Sequence, residues 1–213
     1  LTKLTNQNYD HLKDFARIDQ IIEKLDVNAL IEFCQKCTND IEIANKFSND
    51  TYILIRFILL SCKVEIQKND NIMGLRSDSL KIYKIIHPSD KEEEFNQIKC
   101  ANKSYLFHGS KWHNWYSILR NGLKNCSQTK LMTCGAAYGN GIYLASDANV
   151  SYGYGRRSNN QSVIGVFEIC DKDKYMKASG IYVVTDEKVL IQRYLLIIPN
   201  QSSCINEINL IFN

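Results

Sequence analysis

Of the four histidines, His108 and His113 fall in the glycine-rich second half of the chain, and His108 directly follows Tyr105-Leu106-Phe107 and precedes Gly109-Ser110. An imidazole at the end of an apolar strand, beside a glycine that lets a ligand approach the backbone, is placed to hydrogen-bond a bound molecule. Taken alone, it reads more simply as a satisfied structural histidine. A second cluster runs from Gly135 through Tyr138, Gly139, Asn140 and Gly141 to Tyr143, with three glycines loosening the backbone before a strand that carries the tyrosine. The third is Ser151-Tyr152-Gly153-Tyr154-Gly155, in which rings alternate with glycines. Such a stretch suits stacking on a flat ring, and its plainer reading is an aromatic-rich turn. No Gly-x-Gly-x-x-Gly stands between a strand and a helix, which disfavours a doubly wound dinucleotide-binding domain.

These clusters need strands to hold them. Ser104 to Phe107, Gly141 to Ala145, Ser162 to Cys170, Ile181 to Thr185 and Arg193 to Ile198 are short apolar runs separated by glycine and polar residues, and each is expected to be a strand. Trp115 to Asn121 has helical spacing and stops at Gly122, a residue suited to the end of a helix. With most strands in succession, the second half is expected to be α+β. Before it, apolar residues recur at helical spacing from Tyr9 to Cys62, with Asn49-Asp50-Thr51 as a helix start. The polar stretch between, with its single apolar patch at Ile82 to Ile86, reads as a linker with a docked strand or helix. The expected division is a helical region over 1–67, a linker and docked segment over 68–102, and a catalytic domain over 103–213.

Composition narrows the setting. At 213 residues and 45% hydrophobic, the chain is long enough for one compact domain with a helical appendage. Its 26 basic and 23 acidic residues are interspersed, so nucleic acid is neither implied nor excluded. Eight scattered cysteines in a chain of this length read as reduced thiols. Cys34-Gln35-Lys36-Cys37 lacks a second pair with metal spacing and reads as core packing, so no metal is expected. The Asn-x-Ser/Thr triplets at Asn49, Asn102 and Asn149 carry little weight in so asparagine-rich a chain. The polar start lacks a secretory signal, and the longest apolar run, Tyr52 to Leu60, is broken by Arg56 and falls short of a membrane span. An intracellular domain, cytoplasmic or nuclear, is expected. The opening on Leu1 rather than Met fits a segment of a larger protein.

Three motifs in order, LFHGSKWHNWYSILRNGL, GAAYGNGIYLA and SYGYG, resemble the catalytic domain of the poly(ADP-ribose) polymerase superfamily, most closely its mono-ADP-ribosylating members. ILLSCKVEI, Ile58 to Ile66, is similar to the helical segment that precedes that domain. The resemblance implies an α+β domain whose antiparallel sheets flank an NAD+ cleft, with NAD+ as co-substrate. It implies that His108 donates to a ribose hydroxyl of the nicotinamide nucleoside, that Gly109 offers its backbone to the carboxamide, and that Ser110 faces the adenosine. Tyr143 and Tyr154 would stack on nicotinamide from its two sides, and Ser151 would bond the carboxamide. Leu123 to Tyr138 corresponds to the donor loop.

Polymer-forming members of the superfamily carry a glutamate where this chain, aligned through IYVVTDEKVLIQRYLL, has Ile181. Isoleucine cannot take a proton, so the resemblance implies transfer of one ADP-ribose rather than a chain. Asp186 and Glu187, a few residues on, are expected to form a turn outside the site. A protein acceptor, this chain included, is expected; an ionised carboxylate would need no base, and a cysteine thiolate is an alternative. A binding module that keeps the fold without transfer, and an NAD+ glycohydrolase, use the same residues. The Trp112, Trp115 and Tyr116 set reads mostly as packing of the helix after His108, with acceptor contact at Trp112 as a lesser role.

Overall fold

The computed structural model describes residues 33, 36, 40–69, 80–129, 137–155, 161–199 and 204–212. The chain divides into two compact units, Leu1–Cys62 and Lys63–Asn213. In the first, α1 (Asp40–Lys46) and α2 (Asn49–Ser61) are helical. The start of α2 is capped one residue earlier than expected, because the Ser48 hydroxyl accepts from the Thr51 N–H at 3.3 Å. Phe33 and Phe47 meet edge to face, 5.5 Å between ring centres. The helical repeat expected before Phe33 and the Cys34/Cys37 pair lie outside the described residues.

The second unit is α+β. Its strands are β1 (Glu65–Lys68), β2 (Lys81–Ile86), β3 (Lys103–Gly109), β4 (Ile142–Ala145), β5 (Gln161–Cys170), β6 (Met176–Ala178), β7 (Ile181–Val184) and β8 (Leu190–Pro199). They lie in the order β1-β2-β8-β5-β3-β4-β7-β6, and every neighbouring pair is antiparallel. Among the described residues, the α-helices that accompany them are α3 (Ser89–Asn96), α4 (Trp115–Asn121), α5 (Ala148–Tyr154) and α6 (Ile205–Phe212). The ILLSCKVEI stretch is helical only in its first half. It ends α2 and then enters β1.

β5 is central, and it is buried on both faces along most of its length. One face, through Val163, Phe167 and Ile169, packs with Leu106, Trp115, Leu144, Tyr182 and Val184. The other, through Ile164 and Val166, packs with Phe107, Ala148, Leu196, Ile205 and Ile208. Gly165 is required by this packing, since a Cβ there would stand 2.6 Å from the Phe167 ring and 2.9 Å from the Trp115 indole. α4 closes as its sequence predicts. Gly122, at φ 75°, donates its N–H to Ile118 O at 2.8 Å.

β8 begins three residues before the expected Arg193 because the strand contains a bulge. Val166 pairs with Tyr194 and Phe167 with Gln192, leaving Arg193 as the extra residue. Its guanidinium reaches Glu168 through Nε (2.7 Å) and Glu92 of α3 through a terminal nitrogen, and lies over the Phe95 ring. That network ties α3, whose one buried side chain is Phe95, to the sheet. Cys62, Cys100, Cys126, Cys170 and Cys204 are thiols rather than halves of disulfides. Burial, and then Cys100 beside it, push the Cys170 thiol up to about 11.

Candidate functional site

The ladder between β3 and β4 consists of one residue pair, Phe107 opposite Ala145, whereas β3 pairs with β5 over its whole length, from Lys103 to Gly109. The expected strand end at Phe107 is therefore corrected, since His108 and Gly109 continue the ladder opposite Gly165 and Ile164. On the β4 side the backbone contact stops, and a side chain takes over. His108 Nδ1 lies 2.8 Å from the Tyr143 carbonyl oxygen. The imidazole is also bounded by Trp115 and Phe167, each edge on, with ring centres 6.3 and 6.2 Å away.

A carbonyl oxygen only accepts, so Nδ1 carries the proton of this bond. Burial lowers the His108 pKa, and the bond to Tyr143 opposes that only in part. The neutral ring with Nδ1–H therefore prevails at neutral pH, and Nε2 presents a lone pair. In this form Nε2 can accept from a hydroxyl.

Gly109 is where α5 meets the sheet. A Cβ on Gly109 would stand 1.8 Å from the Ser151 carbonyl oxygen and 3.0 Å from Tyr154 Cβ, so only glycine fits. The segment read as an aromatic-rich turn is thus a helix, started by Asp147, whose side chain accepts from the Asn149 N–H. Ser151 is buried in it. Tyr154 is 59% exposed. Ser110 accepts at Oγ from Asn114 Nδ2 (2.9 Å) and at its carbonyl from the Trp115 indole (3.1 Å), which leaves the hydroxyl proton free to donate.

Tyr143 does more than present a ring. Its hydroxyl accepts from the Tyr138 N–H and donates to the Gly139 carbonyl, both at 2.8 Å. The stretch expected as a donor loop, Leu123 to Tyr138, is described over 123–129 and 137–138. Its two ends are joined where Ser127 Oγ accepts from the Gly141 N–H at 2.8 Å. Glu187 fixes the beginning, accepting from the Asn125 N–H (2.7 Å) and pairing with Lys124 (2.6 Å). Asp186 caps the one-turn helix Glu187–Val189. These two carboxylates form a turn, as expected, and Glu187 is in addition a loop anchor that spacing alone does not mark.

Ile181 opens β7 opposite Ala145, two residues along from Val183, which faces Tyr143. In an antiparallel pair this puts Ile181 and Tyr143 on one face, diagonal to each other. His108, Gly109, Tyr143, Ser151 and Tyr154 thus converge, with Ile181 across β4 and Ser110 at the end of β3. Among the described residues, no group of three or more His, Cys, Asp or Glu side chains is placed to hold a metal, and no helix is long and apolar enough to cross a membrane.

An α+β domain is what the three motifs led us to expect, and its strands form one antiparallel sheet of eight. The chain matches the poly(ADP-ribose) polymerase catalytic domain over residues 63–178 and belongs to that family. It is 41% identical over 93 residues to the mouse (Mus musculus) protein mono-ADP-ribosyltransferase PARP8, and 40% identical over 93 residues to the human (Homo sapiens) protein of that name. Each alignment takes in 43% of this chain and 11% of the relative, so the chain spans about a tenth of the length of these curated relatives.

Two outcomes follow from the geometry. Burial lowers the pKa of His108 and also of His87, whose Nε2 lies 2.6 Å from the Gln192 carbonyl. Below the unfolded value of about 6.5, the unfolded chain binds protons that the folded chain refuses. Each histidine therefore contributes stability above that pH that is lost as the pH falls. His108→Gln and His87→Gln should each flatten the decline in urea stability from pH 7 to 5, and an unchanged slope in both contradicts the assignment. Tyr143→Phe keeps the ring and removes the latch, at a cost of about 0.5–1.5 kcal/mol. Amide exchange at Tyr138 should quicken, and protection equal to wild type would show that the hydroxyl does not hold the loop.

Proposed function

We propose that this domain binds NAD+ and transfers one ADP-ribose unit from it to a protein side chain, releasing nicotinamide. The observation that carries the reading is the convergence of a neutral His108, held by the Tyr143 carbonyl, with the Gly109 backbone and the buried Ser151 hydroxyl. Membership of the poly(ADP-ribose) polymerase family and likeness to proteins named mono-ADP-ribosyltransferases support it.

In this reading the cleft lies where β3 and β4 part. The nicotinamide carboxamide bonds the Gly109 backbone and the Ser151 hydroxyl, and its ring lies between Tyr143 and Tyr154. His108 Nε2 accepts from a ribose hydroxyl, and the Ser110 hydroxyl donates on the adenosine side. The glycosidic bond to nicotinamide breaks through an oxocarbenium-like state, so fixing the leaving group and the ribose while excluding water lowers the barrier. No metal is needed for this. Beside this site Ser127, Tyr143 and Glu187 hold the described ends of the stretch 123–138.

Ile181 supplies no base where chain-forming members keep a glutamate. A positioned general base contributes about 10²- to 10⁴-fold, and without one growth of a chain from a ribose hydroxyl is suppressed. An acceptor carboxylate is already ionised at neutral pH and attacks the ribose carbon without help.

The test is incubation of the chain with labelled NAD+, resolving protein-bound label from free ADP-ribose. A discrete labelled band is expected, without a polymer smear, lower by on the order of 10²-fold in His108→Ala and Tyr143→Ala. Free ADP-ribose alone would make the protein a glycohydrolase. NAD+ binding with neither product would make it a binding module, and a polymer smear would contradict the role given to Ile181.

A further inference from the structure

The seven residues of α5 carry both Ser151 and Tyr154, yet a helix of two turns does not hold its own shape or place in water. Its position must come from its neighbours. At its C-terminal end, Gly155 takes its N–H back to Ser151 O (3.2 Å) and accepts at its carbonyl from the Val163 N–H of β5 (2.9 Å). At its N-terminal end the contact comes from α6, a part of the chain beyond the matched residues 63–178. Asn209 Oδ1 accepts from the Ala148 N–H at 2.7 Å, while its Nδ2 donates to Asp147 Oδ1 at 2.8 Å. One amide thus satisfies a free N–H of the helix start and braces the carboxylate that caps it.

α6 is itself fixed to the sheet. Ile205, Ile208 and Phe212 are buried, and the Phe212 ring meets Tyr105, Phe107 and Tyr194 at centre distances of 5.6, 6.1 and 5.3 Å. Phe107 is the residue before His108. The same short helix therefore grips β3 by an apolar ring and α5 by a polar amide, and so sets the two against each other where the Ser151 carbonyl passes Gly109.

We propose that Asn209 is a positioning residue for the carboxamide end of the site, acting through the N-terminus of α5 on Ser151 and Tyr154. The proposal rests on the NAD+ reading above. It separates two halves of the ligand: nicotinamide depends on α5, whereas ADP-ribose, which lacks the carboxamide, depends on His108 and Ser110 of β3 and its following turn.

The experiment measures binding of nicotinamide and of ADP-ribose separately, by calorimetry on the whole chain at a temperature where every variant is folded. Asn209→Ala should bind nicotinamide about 3- to 30-fold more weakly, the change that losing a helix cap corresponds to, and bind ADP-ribose as the wild type does. Leu210→Ser, one residue on and 84% exposed, should change neither. Asn209→Asp sets two carboxylates together and should also lose nicotinamide. Equal loss of both ligands in Asn209→Ala would reduce Asn209 to a general stabiliser and overturn the proposal. Wild-type nicotinamide binding that Asn209→Ala leaves intact overturns this proposal alone. A wild type that binds no nicotinamide overturns the NAD+ reading and this one together.

Discussion

Where β3 and β4 stop exchanging backbone hydrogen bonds, the sheet would be free to split, and the His108 imidazole, bonded to the Tyr143 carbonyl, spans the gap. Several properties of the site depend on that bond. It ties the two parts of the sheet together beside the place where they part. It fixes which ring nitrogen carries the proton, and with the burial that lowers the ring's pKa it leaves Nε2 an acceptor at neutral pH. It also fixes the Tyr143 backbone, so that the tyrosine's hydroxyl can latch the loop at Tyr138 and Gly139.

The remaining parts follow from how closely backbone can approach backbone. Gly109 admits the Ser151 carbonyl and Gly165 admits the Trp115 indole, and a methyl group at either would force its neighbour away. Through the first contact α5 lies against the strand that bears the histidine. Through the second, the helix after Ser110 lies against the centre of the sheet and bounds the imidazole. Polar contacts then pin what packing alone leaves loose: Ser127 and Glu187 at the base of the loop, and Asn209 at the start of α5. The catalytic reading thus requires few charged groups. It requires rings, amides and glycines held in register.

Much of this was legible in the amino-acid sequence. The five strands expected in the second half all exist, because each is a short apolar run bounded by glycine or polar residues and buried on at least one face. The edge strands β1 and β6 were not, since their side chains are mostly exposed and show no apolar run. α3 was hidden by its composition, with one buried residue, Phe95, among charged neighbours. α5 reads as a turn because glycine and aromatic residues are poor helix formers; the sign of a helix there is the Asp147 cap, not the residues that follow. α6 has its sign in the spacing of Ile205, Ile208 and Phe212. The candidate residues other than Ile181 were singled out through the three motifs, but the direction of the His108 hydrogen bond and the anchoring role of Glu187 are tertiary facts. No local pattern encodes which carbonyl a ring will meet 35 residues away.

The most direct test of the account is a crystal structure of the chain with a dinucleotide in which the nicotinamide glycosidic bond is replaced by a carbon–carbon bond. The account predicts the carboxamide on the Gly109 backbone and the Ser151 hydroxyl, its ring between Tyr143 and Tyr154, and a ribose hydroxyl at His108 Nε2 with the bond from Nδ1 to Tyr143 intact. A dinucleotide bound away from β3, or a His108 ring turned from the Tyr143 carbonyl to meet it, would contradict the account.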